Sequence, residues 1–327
     1  MTKKMKRIIL TGAAVCAVIV LSILLVSNRE PPATIIIKGT EYSTALTELD
    51  LRGLALTDAD IEPLKHMSNL TLLDLGAGSG AEGTYNQISD LRALKGLANL
   101  TELRLSNNQI VDIGPLRNLS NLTSLLLGSN QISDITALSG LTNLTTLWLP
   151  GNQISDITAL SGLTNLTTLS VADNQISDIT VLSGLTNLTY LTLRGNQVGD
   201  IRSLENLTAL DSLSLDYNQI GDISSLVHLK NLTKLGLVQT QISDIGALGT
   251  LTNLTDLSLH FNDIDNIDAL AGLTNLKSLS LGFNQISDIA PLASLTGLEM
   301  LLLNDNPLDT SQVEELQRAL PDCNIVR

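Results

Sequence analysis

Apolar and polar residues alternate along this chain in short blocks of the form LTxLxL, and the blocks return at a fixed interval. Their first leucines fall at Leu100, Leu122, Leu144, Leu166, Leu188, Leu210, Leu232, Leu254, Leu276 and Leu298, a spacing of 22 residues nine times in succession. Two longer copies begin at Leu46 and Leu70, which makes twelve. Each block predicts a short strand whose leucines face one side. One copy, such as LTTLWLPGNQISDITALSGLTN over Leu144 to Asn165, is too small to bury its own apolar face. Neighbours must cover it, so the copies stack, with successive strands parallel and about 4.8 Å apart.

The polar positions of the repeat have structural roles of their own. An asparagine follows each strand, at 86, 108, 130, 152, 174, 196, 218, 262, 284 and 306. Its amide both donates and accepts, so it suits backbone groups that a turn leaves unpaired, and the stacked copies should form a ladder. Thr240 is the one break, where a weakening of about 1 kcal/mol is expected. An aspartate recurs at 90, 112, 134, 156, 178, 200, 222, 244 and 288. Capping of a short helical turn accounts for it better than calcium, because consecutive acids sit one repeat apart with no second carboxylate nearby.

The ends depart from the repeat. Lys3, Lys4, Lys6 and Arg7 precede an uncharged apolar run, Ile8 to Val26, which is long enough to cross a hydrocarbon core of about 30 Å as a helix. The basic cluster is expected to stay cytoplasmic, which puts the rest of the chain outside the cell. Both a signal anchor and a cleaved signal peptide remain open, although no A-x-A pattern follows the run. Residues 1–29 form this segment, 30–45 a linker and an N-terminal cap strand, 46–303 the repeats, and 304–327 a C-terminal cap. Thr34 to Ser43 is expected to add an edge strand before the first copy. Val313, Leu316 and Leu320 share one face of a helix able to cover the last leucines, with Cys323 buried beside it.

Composition narrows the function. Aromatics are only 2% of the chain, so the core is built from one aliphatic template rather than from bulky rings. Beyond the first 29 residues, 33 acidic residues face 14 basic ones, a net charge of −19 that excludes nucleic acid as a partner. Cys16 and Cys323, the only cysteines, supply neither a disulfide framework nor a zinc site.

The NQISDI segment followed by ALSGLTNLTTL resembles the leucine-rich repeat family, and the variant is similar to the internalin type of bacterial surface proteins. The resemblance covers Leu46 to Leu303. It implies an α/β fold, a right-handed horseshoe solenoid with a parallel sheet on the concave face and short 3-10 turns on the convex side, beside one N-terminal hydrophobic helix. It also implies that the concave face holds a protein ligand. No immunoglobulin-like module, wall-binding repeat or LPxTG-type sorting signal follows the repeats, which puts covalent wall display and a host-invasion role in doubt.

Catalytic chemistry finds no foothold. The second copy carries eight extra residues, and Gly78, Gly80 and Gly83 match GxGxxG, but no helix follows to receive a pyrophosphate. His66, His228 and His260 lie at different repeat positions without partner ligands. Asp256 and His260 share a strand face but stand about 13 Å apart, too far for a dyad. No enzyme, cofactor or metal is expected. The exposed slots of LTxLxLxx are more informative. In the ten regular copies they hold five of the seven aromatics, Trp148, Tyr190, Tyr217, Phe261 and Phe283, where random placement would put about one. Leu126, Arg104, Arg194, Lys234 and His260 share that face. Trp148 and Tyr190 lie mid-strand and read as ligand contacts. Tyr217, Phe261 and Phe283 directly precede the ladder asparagine, where shielding of the turn competes with a binding role.

These features predict a monomeric, extracytoplasmic binding module, tethered to the cell membrane through Ile8 to Val26 or secreted, that mediates adhesion or recognition. The alternative is an intracellular regulatory scaffold, since phosphatase-regulatory subunits also use 22-residue leucine-rich repeats. The apolar segment weighs against it. A spacer that only holds its own shape is a third reading, which the aromatic cluster disfavours.

Overall fold

In the computed structural model, which describes residues 32–76 and 85–327, each leucine block forms a three-residue strand. The twelve strands from β3 (Glu48–Asp50) to β14 (Met300–Leu302) pair in parallel and in chain order. Register follows the repeat: Leu147 of β7 (Thr146–Trp148) pairs with Leu169 of β8 (Thr168–Ser170), and that with Leu191 of β9 (Tyr190–Thr192). Each strand residue therefore stacks on its equivalent from the neighbouring copy. A short 3-10 turn such as Thr136–Leu138 or Thr158–Leu160 forms the opposite wall.

Between the walls lies one continuous aliphatic core. In the copy that starts at Leu122, the buried set is Leu122, Leu125, Leu127, Ile132, Ile135, Leu138 and Leu141, each at most 2% exposed. No ring is needed because a coil leaves room for one layer of branched aliphatic side chains, and the next coil closes over it.

The ladder asparagine works as its chemistry requires. Asn152 donates to the carbonyls of Leu149 at 3.0 Å and Leu127 at 3.1 Å, and accepts from the Ile132 N–H at 3.0 Å. One side chain thus satisfies backbone groups of two coils. A second ladder, absent from the expectations above, runs through the asparagine that ends most copies, with Ala209 and Gly297 as its breaks. Asn143 donates to Ser120 O at 2.8 Å, and Asn165 to Thr142 O at 2.9 Å. The aspartate does stabilise the 3-10 turn, one residue earlier than a true cap. The cap position is Ile135, and Asp134 Oδ1 accepts from the N–H of Thr136 at 2.8 Å. Asn266 replaces the acid once and accepts the same bond from Asp268.

Thr240 changes the backbone rather than leaving a simple gap. The Ile220 N–H, denied an asparagine acceptor, donates to Thr240 O at 3.1 Å. Gln241 and Gly221 take φ of +65° and +66°. The Thr240 N–H donates to Asn262 Oδ1 at 2.9 Å, and that oxygen holds its usual donor, Ile242 N–H, only at 3.3 Å.

The caps differ from expectation at both ends. Thr34 to Ser43 is not an edge strand of the main sheet but an antiparallel hairpin, β1 (Thr34–Ile37) with β2 (Thr40–Ser43). Lys38 and Gly39 both have positive φ, the geometry of a two-residue turn that matches strand twist. Ile35 and Ile37 face the first coil and are buried. At the other end the helix α1 (Thr310–Ala319) begins with an Asp309–Gln312 capping box and buries Leu316, with Leu320 and Cys323 next to it and Val313 packed partly buried. Burial pushes the Cys323 thiol above its ordinary pKa. The chain then adds a thirteenth strand, β15 (Asn324–Val326), parallel to β14. The apolar run Ile8 to Val26, Cys16 and the glycines Gly78, Gly80 and Gly83 lie outside the described residues. Among the described residues no helix is long and apolar enough to cross a membrane.

Candidate ligand-binding face

Strand side chains that point away from the core form rows across the sheet, because the register is constant. One row runs Arg104, Leu126, Trp148, Ser170 and Thr192. The row beside it carries Tyr190 and Lys234, with Ser212 between them. Trp148 and Tyr190 belong to strands two apart, a backbone separation of about 9.6 Å. Their ring centroids are nevertheless 6.0 Å apart, with planes 22° from parallel. The rings therefore lean toward each other over β8, the strand between them. Ser170 lies on that strand, in register with Trp148 and Thr192, and is 1% exposed. Its hydroxyl has no hydrogen-bond partner. Nothing in the sequence marks Ser170, because serine and threonine fill half of the mid-strand slots in the regular copies.

The three aromatics at the sheet margin meet a backbone requirement that the repeat pattern hides. The slot before the ladder asparagine is left-handed in copy after copy, with Asn107, Ser129, Gly151, Asp173 and Gly195 at φ of 52° to 65°. Glycine and asparagine suit that conformation, and a bulky side chain there costs about 1–2 kcal/mol. Tyr217, Phe261 and Phe283 occupy it at 57°, 56° and 56°. They are 40%, 47% and 39% exposed, so burial does little to offset the strain. Phe261 and Phe283 stack with centroids 4.1 Å apart, and His260 packs against both. The His260 Nδ1 sits 3.2 Å from the Gly282 carbonyl, and a Cβ on Gly282 would come within 2.8 Å of the imidazole. His260 thus has rings and a backbone carbonyl as neighbours, not a carboxylate.

The charged residues separate into engaged and free. Arg104 pairs with Glu102 at 2.5 Å and with the buried Asp74 at 3.3 Å, and Arg52 reaches Asp74 from the other side at 3.5 Å. Arg104, expected to meet a partner, is largely committed to this network. Arg194 lies over the Tyr217 ring, its Cζ 4.4 Å from the centroid. Lys234 is exposed, with no ion pair among the described residues. Leu126 is half-buried beside Trp148. The ten residues thus form three neighbourhoods, Leu126 with Trp148 and Tyr190, Arg194 with Tyr217, and His260 with Phe261 and Phe283, while Arg104, beside Leu126, is held by Asp74 and Glu102, and Lys234 has no ion pair among the described residues. Among the described residues no group of three histidine, cysteine or acidic side chains is placed to hold a metal ion.

Comparison with known proteins agrees with this geometry. The model for "Leucine Rich repeats (2 copies)" matches residues 83–118, 98–140, 142–184, 186–228, 230–272 and 274–317, more than half the chain. No curated protein sequence matches significantly. Among solved structures, an internalin (inlF) of Listeria monocytogenes is 32% identical over 88% of this chain and 89% of its own, with a TM-score of 0.74. An internalin C2 from the same organism is 36% identical over 65% of this chain and 83% of its own, with a TM-score of 0.50. The PEPR1–AtPEP1 complex contains a chain 25% identical over 86% of this chain and 41% of its own, with a TM-score of 0.69. The fold is one that typically serves protein interaction rather than catalysis, and with its 22-residue period, parallel sheet and 3-10 wall the chain belongs to the leucine-rich-repeat family in its internalin-like form.

Proposed function

We propose that the protein is an extracytoplasmic receptor or adhesin that holds a protein ligand on the concave sheet face. The observation that carries this reading is the aromatic content of that face. Five of the seven aromatics lie on this one face, and three of them occupy left-handed positions that other copies fill with small or polar residues. Strain kept at exposed residues points to a function outside the fold. Large rigid side chains are the usual anchors of protein interfaces. The related chain in PEPR1–AtPEP1 was solved in a complex, which supports the same use of the scaffold. Tethering through Ile8 to Val26 would keep the face outside the cell.

Two measurements test this. Cell fractionation with protease shaving should find the repeats on the outer side of the membrane fraction. Full-length protein on a surface should capture a partner whose direct binding isotherm is then measured against variants. Trp148→Ala and Tyr190→Ala should weaken that binding by tenfold or more, on the order of 1.4 kcal/mol each, with the melting temperature unchanged. Unaltered affinity in both variants overturns the concave-face assignment.

A further inference from the structure

The Trp148–Tyr190 pair gives a chemical identity to the anchor that the concave face would receive, an inference that rests on the binding role proposed above. The two rings, nearly parallel with centroids 6.0 Å apart, flank the strand that carries Ser170, whose hydroxyl is buried in a residue 1% exposed and has no partner. Buried hydroxyls without partners are rare in proteins. A planar group in contact with both rings needs their faces about 7 Å apart, so the pair must part to admit it. The inserted group must be flat to fit, and it must carry a hydrogen-bonding group to use Ser170 Oγ, which can donate or accept. Proline and phenylalanine side chains lack a hydrogen-bonding group, an ammonium lacks the plane, a carboxylate meets an acidic surface, and a neutral carboxamide lacks the charge that ring faces attract. A guanidinium has the plane and the hydrogen-bonding groups, and its charge favours the faces of Trp and Tyr.

The rest of the molecule favours a cation here. Residues 30–327 carry 33 acidic and 14 basic side chains. Asp173, three residues beyond Ser170, is exposed. The nearest arginines along the face are already engaged, Arg104 by Glu102 and Asp74, and Arg194 on the Tyr217 ring at 4.4 Å. That last contact is a guanidinium on an aromatic face within this same sheet. We propose that Trp148, Tyr190 and Ser170 form a receptor for an arginine side chain of the protein ligand, with the guanidinium between the rings and one of its N–H groups donating to Ser170 Oγ.

Trp148 is the only tryptophan of the chain, so its fluorescence reports directly on this pair. The full-length protein is titrated with capped Gly-Arg-Gly, and with the same peptide carrying lysine, citrulline or phenylalanine at the centre. The arginine peptide should change the emission saturably, and citrulline, which keeps the shape but not the charge, should bind about tenfold more weakly. Tyr190→Ala should abolish the response and Tyr190→Phe retain it. Ser170→Ala should weaken arginine binding about threefold or more without lowering the melting temperature, because it removes a hydroxyl that has no partner in the free protein. Equal binding of arginine and citrulline, preference for phenylalanine, or no response to any peptide overturns the proposal. If any of these is seen while Trp148→Ala still weakens the macromolecular partner, only the guanidinium assignment fails. If that partner's affinity is also unaltered, the concave-face reading fails with it.

Discussion

Replacing Thr240 by asparagine should restore the one broken rung of the ladder and stabilise the protein. In regular copies the asparagine makes three bonds that bridge two coils, as Asn174 does to Leu149 O, Val171 O and the Ile154 N–H at 3.1, 3.1 and 3.0 Å. At Thr240 the hydroxyl has one proton to share between Leu237 O at 3.0 Å and Asn262 Oδ1 at 3.1 Å, and no bond from this side chain reaches Leu215 O. The variant therefore gains one buried hydrogen bond, worth about 1 kcal/mol. It also lets Gln241 leave a φ of +65°, which removes about another 1 kcal/mol of strain. The lost threonine methyl offsets a few tenths. A net gain of about 2 kcal/mol corresponds to a rise of roughly 4 °C in a chain of this size. Calorimetry on the full-length protein measures it, and amide exchange at Ile220 should slow. The converse change, Asn174→Thr, should lower the melting temperature by a similar amount. A Thr240→Asn variant that folds yet melts at or below the parent temperature refutes the account of the ladder.

Three further outcomes follow from the same geometry. Phe261→Asn with Phe283→Asn should leave the melting temperature unchanged or raised, because relief of two left-handed positions offsets a stacked pair worth about 1 kcal/mol, whereas a drop beyond 3 °C would assign the rings to shielding the turn. Acid should destabilise the repeats in a defined window. Asp134, Asp156, Asp178 and Asp222 accept from backbone N–H groups that hold their carboxyls below the usual value, and Asp200, paired with Arg202, is lowered to about 2. Depressed folded values mean that this stabilisation is present above pH 4 and is lost as pH falls toward 2. Asp→Asn at 134, 156 and 178, which copies Asn266, should reduce the acid loss seen by circular dichroism. Leu316→Ala in the C-terminal cap should cost about 2–4 kcal/mol and fray the last coils first, read by exchange at β14 and β15.

Much of this architecture is legible in the sequence because a single physical rule repeats. An alternating leucine block can only be a strand, and a strand that cannot bury itself must stack. The period, the core and the cap helix follow from the residues, and the 3-10 wall is what the leucine-rich-repeat resemblance implies. What escapes depends on contacts that no period encodes. The Lys38–Gly39 turn pairs Thr34–Ile37 locally, which a β-rich stretch beside a sheet conceals. The sheet-margin slot reads as an ordinary variable position until its φ is known, and only then do Tyr217, Phe261 and Phe283 become costly choices. Arg104 reads as a free cation until Asp74 and Glu102 are placed beside it. Ser170 is one serine among many, and its isolation arises because residues 42 apart on either side of it, Trp148 and Tyr190, meet above it.

The match between register and repeat length sets a ruler on the ligand. Because each residue pairs with its equivalent in the next copy, gaining or losing one whole copy leaves every pairing intact and moves surface features by a single strand spacing. Trp148 and Phe261 sit five strands apart, about 24 Å along the sheet. A change of copy number between them alters that distance only in steps of about 4.8 Å, too coarse for a rigid partner to absorb. A ligand that touches both neighbourhoods is therefore tied to an integer, and a variant lengthened by one 22-residue copy between them would fold as well as the parent yet lose the simultaneous contact.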